Sequence, residues 1–285
     1  MSLRELDSAP QLPKLFAKAA LGGLGRSGGS GGSDALPEHG YARSGVVADP
    51  GELAEYARVC GFRVSDTLPV TYPHILAFGM QTRLMTDPEF PFPLIGLVHV
   101  ANKIRQRRPI GAAEPLVVRV HAENLRPHER GSRFDMISEA SAGGEVVWHE
   151  VSTYLRRTSS GGSGPGARTE VAPPEHPAAV WRVPGDIGRR YAHVSGDHNP
   201  IHLHPLSAKP FGFPTAIAHG MWSAARCLAF FEGRLPDAYT VDVRFKLPIR
   251  LPAKVALAVT GQPATGFSLV DAKSGKPHLA AELRE

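Results

Sequence analysis

Cysteine is nearly absent from this 285-residue chain, which contains only Cys60 and Cys227. The two lie in different halves without Cys-x-x-Cys spacing, which argues against a disulfide framework and a cysteine zinc site. No apolar run approaches the roughly 20 residues that cross a bilayer. Residues 1–26 lack the compact apolar core of an export signal. We therefore expect a reduced, cytoplasmic protein without a membrane span.

A strong excess of one charge is also missing. The chain has 32 Lys and Arg against 27 Asp and Glu, a formal charge of +5. This excess is too weak and dispersed to indicate nucleic-acid binding, but it suits an anionic small ligand or an acidic carrier protein. Hydrophobic residues make up 42% and charged residues 21%, an ordinary globular balance for one large domain or two modest ones.

Two low-complexity stretches, Ser27–Ser33 and Ser159–Ala167, predict flexible linkers. They divide the chain into an N-terminal segment (1–39), a first unit (40–157), a linker (158–169) and a second unit (170–285). Apolar side chains in the N-terminal segment predict one face of a short helix packed on the body. These are Leu15, Phe16, Ala19, Ala20 and Leu21.

The two units contain matching segments in the same order. The pairs are Tyr56–Gly61 with Tyr191–Gly196 at an offset of 135, Phe78-Gly79-Met80 with His219-Gly220-Met221 at 141, and Val98-x-Val100-x-x-Lys103 with Val241-x-Val243-x-x-Lys246 at 143. Three matches in register indicate two copies of one unit. Most of the growth in offset falls between Gly196 and Gly220, so the second copy has an insertion there.

Each copy predicts a buried helix followed by strands. His219–Glu232 is apolar on nearly every side, which is typical of a helix buried all round. Alternating stretches rich in β-branched residues follow it at Tyr239–Phe245, Lys254–Thr260, Phe267–Ala272 and His278–Leu283. Their counterparts in the first copy are Ile95–Ile104, Leu116–Leu125, Phe134–Ala140 and Val146–Leu155. This order predicts the α+β class, with antiparallel strands wrapped around a central helix in each copy.

A polar segment precedes the second buried helix. Tyr191–Ala208 contains four histidines together with Asp197 and Asn199. Pro200 and Pro205 prevent a continuous helix, so we expect a loop. A polar loop beside a buried helix is a common place for a functional site.

This segment resembles a known family. The residues that reproduce the signature of the MaoC-like (R)-specific enoyl-CoA hydratases are Tyr191, Val194, Ser195-Gly196-Asp197, Asn199-Pro200-Ile201-His202 and Ala208, and Gly212-Phe213-Pro214 and His219-Gly220-Met221 also look like that family. From about residue 45 to 285 the chain resembles the actinobacterial (3R)-hydroxyacyl-thioester dehydratases. The resemblance implies a double hot-dog fold and Asp197 and His202 as the catalytic pair. It also implies an acyl-CoA or acyl-carrier-protein thioester as substrate, and no cofactor.

The chemistry of these residues agrees with that implication. Asp197 and His202 are five residues apart in a segment that Pro200 bends, so their side chains would converge on one water. Hydration of a 2-enoyl thioester removes a proton from water and delivers one to C2, and such a pair contributes roughly 10²–10⁴-fold per group. The developing enolate needs a donor, and the backbone N–H of Gly220 at the start of the buried helix would supply it.

Simpler interpretations exist for the same residues. Asp197 and Asn199 would suit an Asx-type turn. A zinc site from Asp197, His198, His202 and His204 is conceivable, but its spacing matches no usual zinc pattern, so we predict no metal. We interpret His193, His198 and His204 as loop or surface residues and Tyr191 as a packing residue.

The first copy lacks the catalytic pair. Phe62 replaces Asp197, no residue corresponds to His202, and Phe78 replaces His219, although a helix start is expected at Gly79-Met80. One active site per chain follows. The first copy would border an acyl tunnel with its apolar side chains, although plain core packing is the alternative for each. They are Tyr72, Pro73, Ile75, Leu76, Phe78 and Met80.

We expect substrate contacts from Asn199, Tyr72, Phe78 and Arg244, the last toward the phosphates of coenzyme A unless it is a solvated edge residue. The predicted function is reversible dehydration of (3R)-3-hydroxyacyl thioesters by a hydro-lyase. A hot-dog thioesterase and a non-enzymatic acyl-thioester-binding protein are the alternatives. The two fused copies would form a monomeric pseudo-dimer or a homodimer.

Overall fold

The computed structural model describes residues 2–25, 35–157 and 173–285. The predicted linkers Ser27–Ser33 and Ser159–Ala167 lie outside these residues. Strand β1 (Ser2–Glu5) and helix α1 (Leu12–Gly25) precede the first repeat. Helix α1 confirms the N-terminal helix predicted from its apolar side chains.

Both repeats follow the order strand, helices, four strands. The first repeat contains β2 (His39–Val46), α2 (Pro50–Cys60), α3 (Tyr72–Met85), β3 (Leu97–Gln106), β4 (Leu116–His128), β5 (Gly131–Ala142) and β6 (Glu145–Arg157). The second contains β7 (Ala179–Val183), α4 (Ile187–Ser195), the one-turn helices α5 (Pro200–Leu203) and α6 (Pro205–Ala208), a 3-10 turn at Lys209–Phe211, α7 (Gly220–Phe230), β8 (Tyr239–Phe245), β9 (Ala253–Thr260), β10 (Gly266–Asp271) and β11 (Pro277–Arg284). The eight predicted strands and the buried helix α7 are confirmed.

Within the described residues the strands form one continuous sheet in the order β1-β2-β4-β5-β6-β3-β8-β11-β10-β9-β7. The two repeats meet where β3 pairs antiparallel with β8, from Ala101 opposite Arg244 to Gln106 opposite Tyr239. The predicted α+β double hot-dog class is confirmed, but the two expected sheets are joined edge to edge into one. Among the helices described here, none is long and apolar enough to cross a membrane.

Helix α3 packs on β2, β4 and β5, and seven of the eleven residues of α7 are buried. One hydrophobic core cluster contains buried residues of both repeats. A hydrogen bond also crosses between them, because Trp222 in α7 donates its indole N–H to the carbonyl of Val59 in α2 at 3.1 Å. The second repeat is therefore packed against the first by side chains as well as by strand pairing.

The expected helix start at Gly79-Met80 is wrong. Helix α3 begins at Tyr72, where Pro73 lies in its first turn, a position that suits the fixed φ of proline. Gly79 consequently lies in the middle of α3, whereas Gly220 is the first residue of α7. The match between the two Gly-Met pairs does not mark equivalent ends of the two helices.

We predict that residues 170–285 expressed alone do not form a folded monomer. Without the first repeat, the β8 edge that pairs with β3 is open, and an unpaired edge beside apolar surface associates with other chains. Light scattering of the purified fragment should show aggregates or self-association.

The matched control is the whole chain cleaved at a protease site placed in residues 159–167. Its two pieces should remain together during gel filtration, because covalent continuity contributes mainly effective concentration. A monodisperse 170–285 monomer with a cooperative unfolding transition would contradict the prediction.

Candidate active site

The polar segment after α4 is more helical than predicted. Helix α4 ends at Gly196, which has a left-handed φ of 73° that glycine adopts without strain. Pro200 and Pro205 each begin a one-turn helix instead of maintaining a loop, because proline is compatible with the first turn. The predicted loop is therefore wrong, although no continuous helix runs through the segment, because α4 stops before Pro200.

Asp197 lies in the turn between α4 and α5. Its backbone N–H donates to the Ser195 hydroxyl at 3.1 Å, and its Oδ1 accepts the N–H of Asn199, also at 3.1 Å. The Asx-type turn considered above is thus formed, and it fixes the carboxylate in place. The side chain of Asp197 retains 27% exposure, so it is not fully shielded from solvent.

His202 lies in α5 and is buried. Its Nδ1 is 2.8 Å from the carbonyl oxygen of Ile217. A carbonyl only accepts, so Nδ1 carries the proton and Nε2 of the neutral ring has the free lone pair. Burial lowers the pKa of His202, while the charge of Asp197 and the Ile217 bond oppose the shift. The ring is consequently kept neutral with a basic nitrogen available.

The predicted pair does come together. One carboxylate oxygen of Asp197 and one ring nitrogen of His202 lie within 4.8 Å of each other. Hydrogen bonds to water are roughly 2.8 Å long, so a single water fits between them. This arrangement can remove a proton from water and return one to a neighbouring carbon.

His219 is part of the same cluster, and the sequence analysis assigned it no role. As the residue before α7, it places its Nε2 3.0 Å from the backbone carbonyl of Asp197 and 3.7 Å from its carboxylate. Its ring stacks on His202 with centroids 3.6 Å apart. Burial, then the charge of His202, lowers the pKa of His219 well below its usual range. The His-Gly-Met match was the signal that could have identified it.

Gly220 is the first residue of α7. The N–H of Ser223 is bonded to the carbonyl of His219 at 3.2 Å, and the N–H groups before it have no acceptor within the helix. A side chain at Gly220 would press on the ring of Phe245 in β8, with its Cβ 3.1 Å from that ring. The glycine therefore makes room for Phe245.

Of the other residues predicted to contact substrate, some lie at the site and others do not. Asn199 caps α5, its Oδ1 accepting the Ile201 N–H at 3.4 Å. The Tyr72 ring contacts Tyr56 at 5.1 Å. Arg244 is exposed between the inward-facing Val243 and Phe245, so it points to the opposite face of the sheet. The structure thus brings Asn199 to the site and leaves Arg244 apart from it.

Aromatic rings of the first repeat connect to the histidines. Tyr56 lies 6.2 Å from Tyr191, whose ring is 4.9 Å from His219. Phe78 is buried and contacts His74 in its own helix at 5.9 Å. Tyr72 and Tyr191 are both fully buried, in agreement with packing roles. The first repeat therefore supports the site from one side.

Asp197, His202 and His219 are the right residue types for a metal, and His219 replaces the His198 and His204 of the zinc alternative. His198 and His204 are exposed or half-buried on the turn. The Nδ1 of His202 is bonded to the Ile217 carbonyl and the Nε2 of His219 to the Asp197 carbonyl, so each neutral ring keeps one nitrogen lone pair.

Comparison with known proteins gives consistent results. Residues 171–270 match the family model described as MaoC like domain. The 3-hydroxyacyl-thioester dehydratase X of Mycobacterium tuberculosis is 44% identical over 257 residues, covering 88% of this chain and 91% of that protein. Its crystal structure superposes with a TM-score of 0.77 at 42% identity, over 86% of this chain and 99% of that one. An (R)-specific enoyl-CoA hydratase of Rhodospirillum rubrum is 38% identical over 74 residues, 25% of this chain and 51% of that protein.

We predict that Gly188→Ala disrupts the site from outside it. Alanine favours a helix over glycine by about 1 kcal/mol, but a Cβ at Gly188 would clash with the backbone carbonyl oxygen of His202. Backbone atoms of a short buried helix cannot move aside as a flexible side chain can, so His202 is displaced. Gly188→Ala should lose at least about tenfold in kcat (~1.4 kcal/mol).

The matched control is Gly185→Ala, three residues earlier, where a Cβ meets open space. It should leave both activity and thermal unfolding unchanged. Equal activity of the two variants would show that α5 tolerates the displacement and would contradict the prediction.

Proposed function

The chain belongs to the family of MaoC-like 3-hydroxyacyl-thioester dehydratases, and on that premise we propose how its own residues perform the reaction. The protein is a hydro-lyase that interconverts (3R)-3-hydroxyacyl thioesters and trans-2-enoyl thioesters. The observation that carries the assignment of residues is the convergence of the Asp197 carboxylate and the His202 imidazole within 4.8 Å.

In the hydration direction, one water lies between Asp197 and His202. The Nε2 lone pair of His202 accepts a proton from this water while its oxygen bonds to C3 of the enoyl thioester. The Asp197 carboxylate orients the water through the oxygen that the Asn199 N–H does not occupy. The pair then returns a proton to C2, so that H and OH have been added across the double bond.

Electrons pushed out of the double bond collect on the thioester oxygen as an enolate. The N–H of Gly220, at the positive end of α7, stabilises that charge. Since this donor is already oriented, it costs no reorganisation during the reaction. Loss of such a donor typically costs about 3 kcal/mol in the transition state.

His219 acts as a positioning residue in this scheme. Its Nε2–H holds the backbone of Asp197 at 3.0 Å, and its ring covers one face of His202. Both imidazoles are neutral because burial lowers their pKa values. A neutral stacked pair avoids the repulsion that two imidazolium rings would have, and it leaves His202 able to accept a proton.

Each chain would contain one such site. The first repeat has Phe62 where the turn would need an acid, and the eleven residues 61–71 connect α2 to α3 without a counterpart of α5. We propose that residues 40–157 form the non-catalytic half and residues 170–285 the catalytic one. The thiol group of the substrate is coenzyme A or an acyl carrier protein. Because Arg244 points to the opposite face of the sheet, we do not assign it a contact with either.

The thioesterase alternative shares the helix N-terminus that polarises the carbonyl, but it attacks the carbonyl carbon and needs no acid–base pair at C2 and C3. A protein that only binds acyl thioesters needs neither a polarised carbonyl nor an acid–base pair. The Asp197–His202 geometry therefore favours the hydro-lyase over both.

We predict that Asp197→Asn and His202→Ala each lower kcat by about 10²–10⁴-fold, since each removes one proton-transfer group. Loss of crotonyl-CoA absorbance measures the rate, and circular dichroism checks that the fold is retained. His193→Ala, an exposed histidine one turn before the site, is the control and should keep full activity. Near-normal hydration by either variant would remove that residue from the mechanism.

We also predict that the reaction needs no metal. Proton transfer through Nε2 of His202 requires its lone pair to be free, and a metal ion bound there would occupy it. Prolonged chelator treatment followed by elemental analysis should leave the rate unchanged. An activity that is lost on chelation and restored by zinc would support a metal site formed by Asp197, His202 and His219.

A further inference from the structure

The core of the first repeat contains an unexpected polar cluster, here called the Glu150 cluster. It lies between α3 and the sheet, and its members play no part in the mechanism above. They are His74, Gln81, His99, Asn102, Ser138, Glu150 and Ser152. All are buried except His99, which is half-buried.

Glu150 is the centre of this cluster and is fully buried. Its carboxylate lies 2.8 Å from Nδ1 of His74 and accepts the amide of Asn102 at 2.7 Å and that of Gln81 at 3.2 Å. Burial by itself raises the pKa of Glu150, but His74 and these donors more than compensate and lower it. Burying a charged carboxylate carries a large desolvation cost, so stability alone is a weak reason for this cluster.

Three polar atoms of the cluster are buried without a hydrogen-bond partner in the described chain: Gln81 Oε1, Asn102 Oδ1 and His99 Nε2. The side-chain amides of Gln81 and Asn102 turn their NH₂ groups toward Glu150, because a carboxylate only accepts. The two amide oxygens therefore have no hydrogen-bond donor. In the neutral ring of His99, a backbone bond to Ala101 uses one nitrogen as donor and leaves Nε2 as an acceptor. All three unpaired atoms therefore need a donor, and buried polar atoms normally have one.

The cluster begins at the active site. The ring of His99 lies 5.1 Å from that of Phe245, and Phe245 occupies the space beside Gly220. His99 also stacks on Tyr154 at 4.7 Å and on His74 at 6.4 Å. Burial lowers the pKa of His99 to about 4, while the charges of Glu150 and Asp197 partly oppose the shift. A neutral His99 therefore connects the oxyanion side of the site to the unpaired acceptors.

We propose that the Glu150 cluster binds a hydroxyl group on the acyl chain of the substrate, with His99 as a specificity-determining residue. This inference rests on the proposed function. A hydroxyl donates to one of the three acceptors, whereas a ketone or an alkyl end supplies no donor. A carboxylate is repelled by Glu150. The substrate class is thus acyl thioesters with a hydroxyl beyond C3, and the first repeat selects them while the second performs the chemistry.

The test uses the full-length protein and three series of trans-2-enoyl-CoAs of increasing chain length. One series ends in a methyl group, one has a terminal hydroxyl, and one has a ketone at the penultimate carbon. At one chain length the hydroxylated substrate should exceed both others in kcat/KM by about 2- to 10-fold, the range of one neutral hydrogen bond. No hydroxyl preference at any length would overturn the proposal.

Variants assign the preference to His99. His99→Phe keeps a ring to stack on Tyr154 but removes Nε2, and the hydroxyl preference should disappear. His99→Gln restores an acceptor and should recover part of it. His149→Phe is the matched control, since His149 precedes Glu150 on β6 and points to the other face of the sheet. Its preference should equal that of the wild type. A preference that survives His99→Phe would exclude His99 as the determinant.

A binding measurement separates this proposal from the proposed function. Calorimetry of the Asp197→Asn variant with the methyl and hydroxyl series reports the preference without turnover. If the wild type fails to hydrate crotonyl-CoA but this variant binds the hydroxylated chain more tightly, the proposed reaction is wrong and hydroxyl binding by the Glu150 cluster is supported. If the wild type hydrates crotonyl-CoA and the variant binds both series equally, the proposed reaction is supported and hydroxyl binding by the Glu150 cluster is wrong.

Discussion

The antiparallel pairing of β3 with β8 is the contact on which the rest of the molecule depends. Six residue pairs, from Ala101 opposite Arg244 to Gln106 opposite Tyr239, join the sheets of the two repeats edge to edge. This pairing brings His99 on β3 beside Phe245 on β8, and Phe245 in turn lies against the first residue of α7. This pairing brings the turn that carries Asp197 and the polar core of the first repeat close to each other.

The local geometry of the site depends on backbone atoms more than on side chains. The Ile217 carbonyl selects the tautomer of His202, and the Asp197 carbonyl is held by His219. Gly188 allows α4 to approach the carbonyl of His202 closely. Since each of these contacts involves the main chain, the two neutral histidines are oriented by the fold itself. Their low pKa values follow from the same burial, which excludes the water that would otherwise stabilise a charged ring.

The sequence predicted the features that depend on nearby residues. The eight strands, α7 and the Asp197–His202 pair all follow from alternation, apolar periodicity or a short spacing. It did not predict β2 or β7. Strand β7 has only five residues, with alternate side chains exposed, whereas the first four residues of β2 are all buried and show no alternation. The start of α3 was misplaced, because the Phe78-Gly79-Met80 match outweighed the proline signal at Tyr72-Pro73. Side chains alternate between the two faces of a strand. The predicted strand Tyr239–Phe245 therefore already implied that Arg244 points away from the face of Val243 and Phe245.

Features that depend on distant residues could not be found in the same way. Glu150 stands among alternating strand residues and has no local mark of a buried ion pair, since His74, Gln81 and Asn102 come from a helix and another strand. The stacking of His219 on His202 joins residues 17 positions apart in the chain. The role of Gly188 appears only when the carbonyl of His202 is placed next to it. Such contacts are properties of the assembled fold.

Joining two repeats in one chain removes a symmetry requirement. In a dimer of identical subunits, any substitution in the binding wall also appears in the subunit that performs the chemistry. An acidic residue such as Glu150 would then stand in the core beneath every Asp197–His202 pair and would alter both halves at once. Here each repeat has its own sequence within one chain. The first repeat can therefore contain a charged, hydrogen-bonded interior, while the second has an apolar one around α7. Two different repeats in one chain thus permit interiors of different polarity that a symmetric dimer cannot encode.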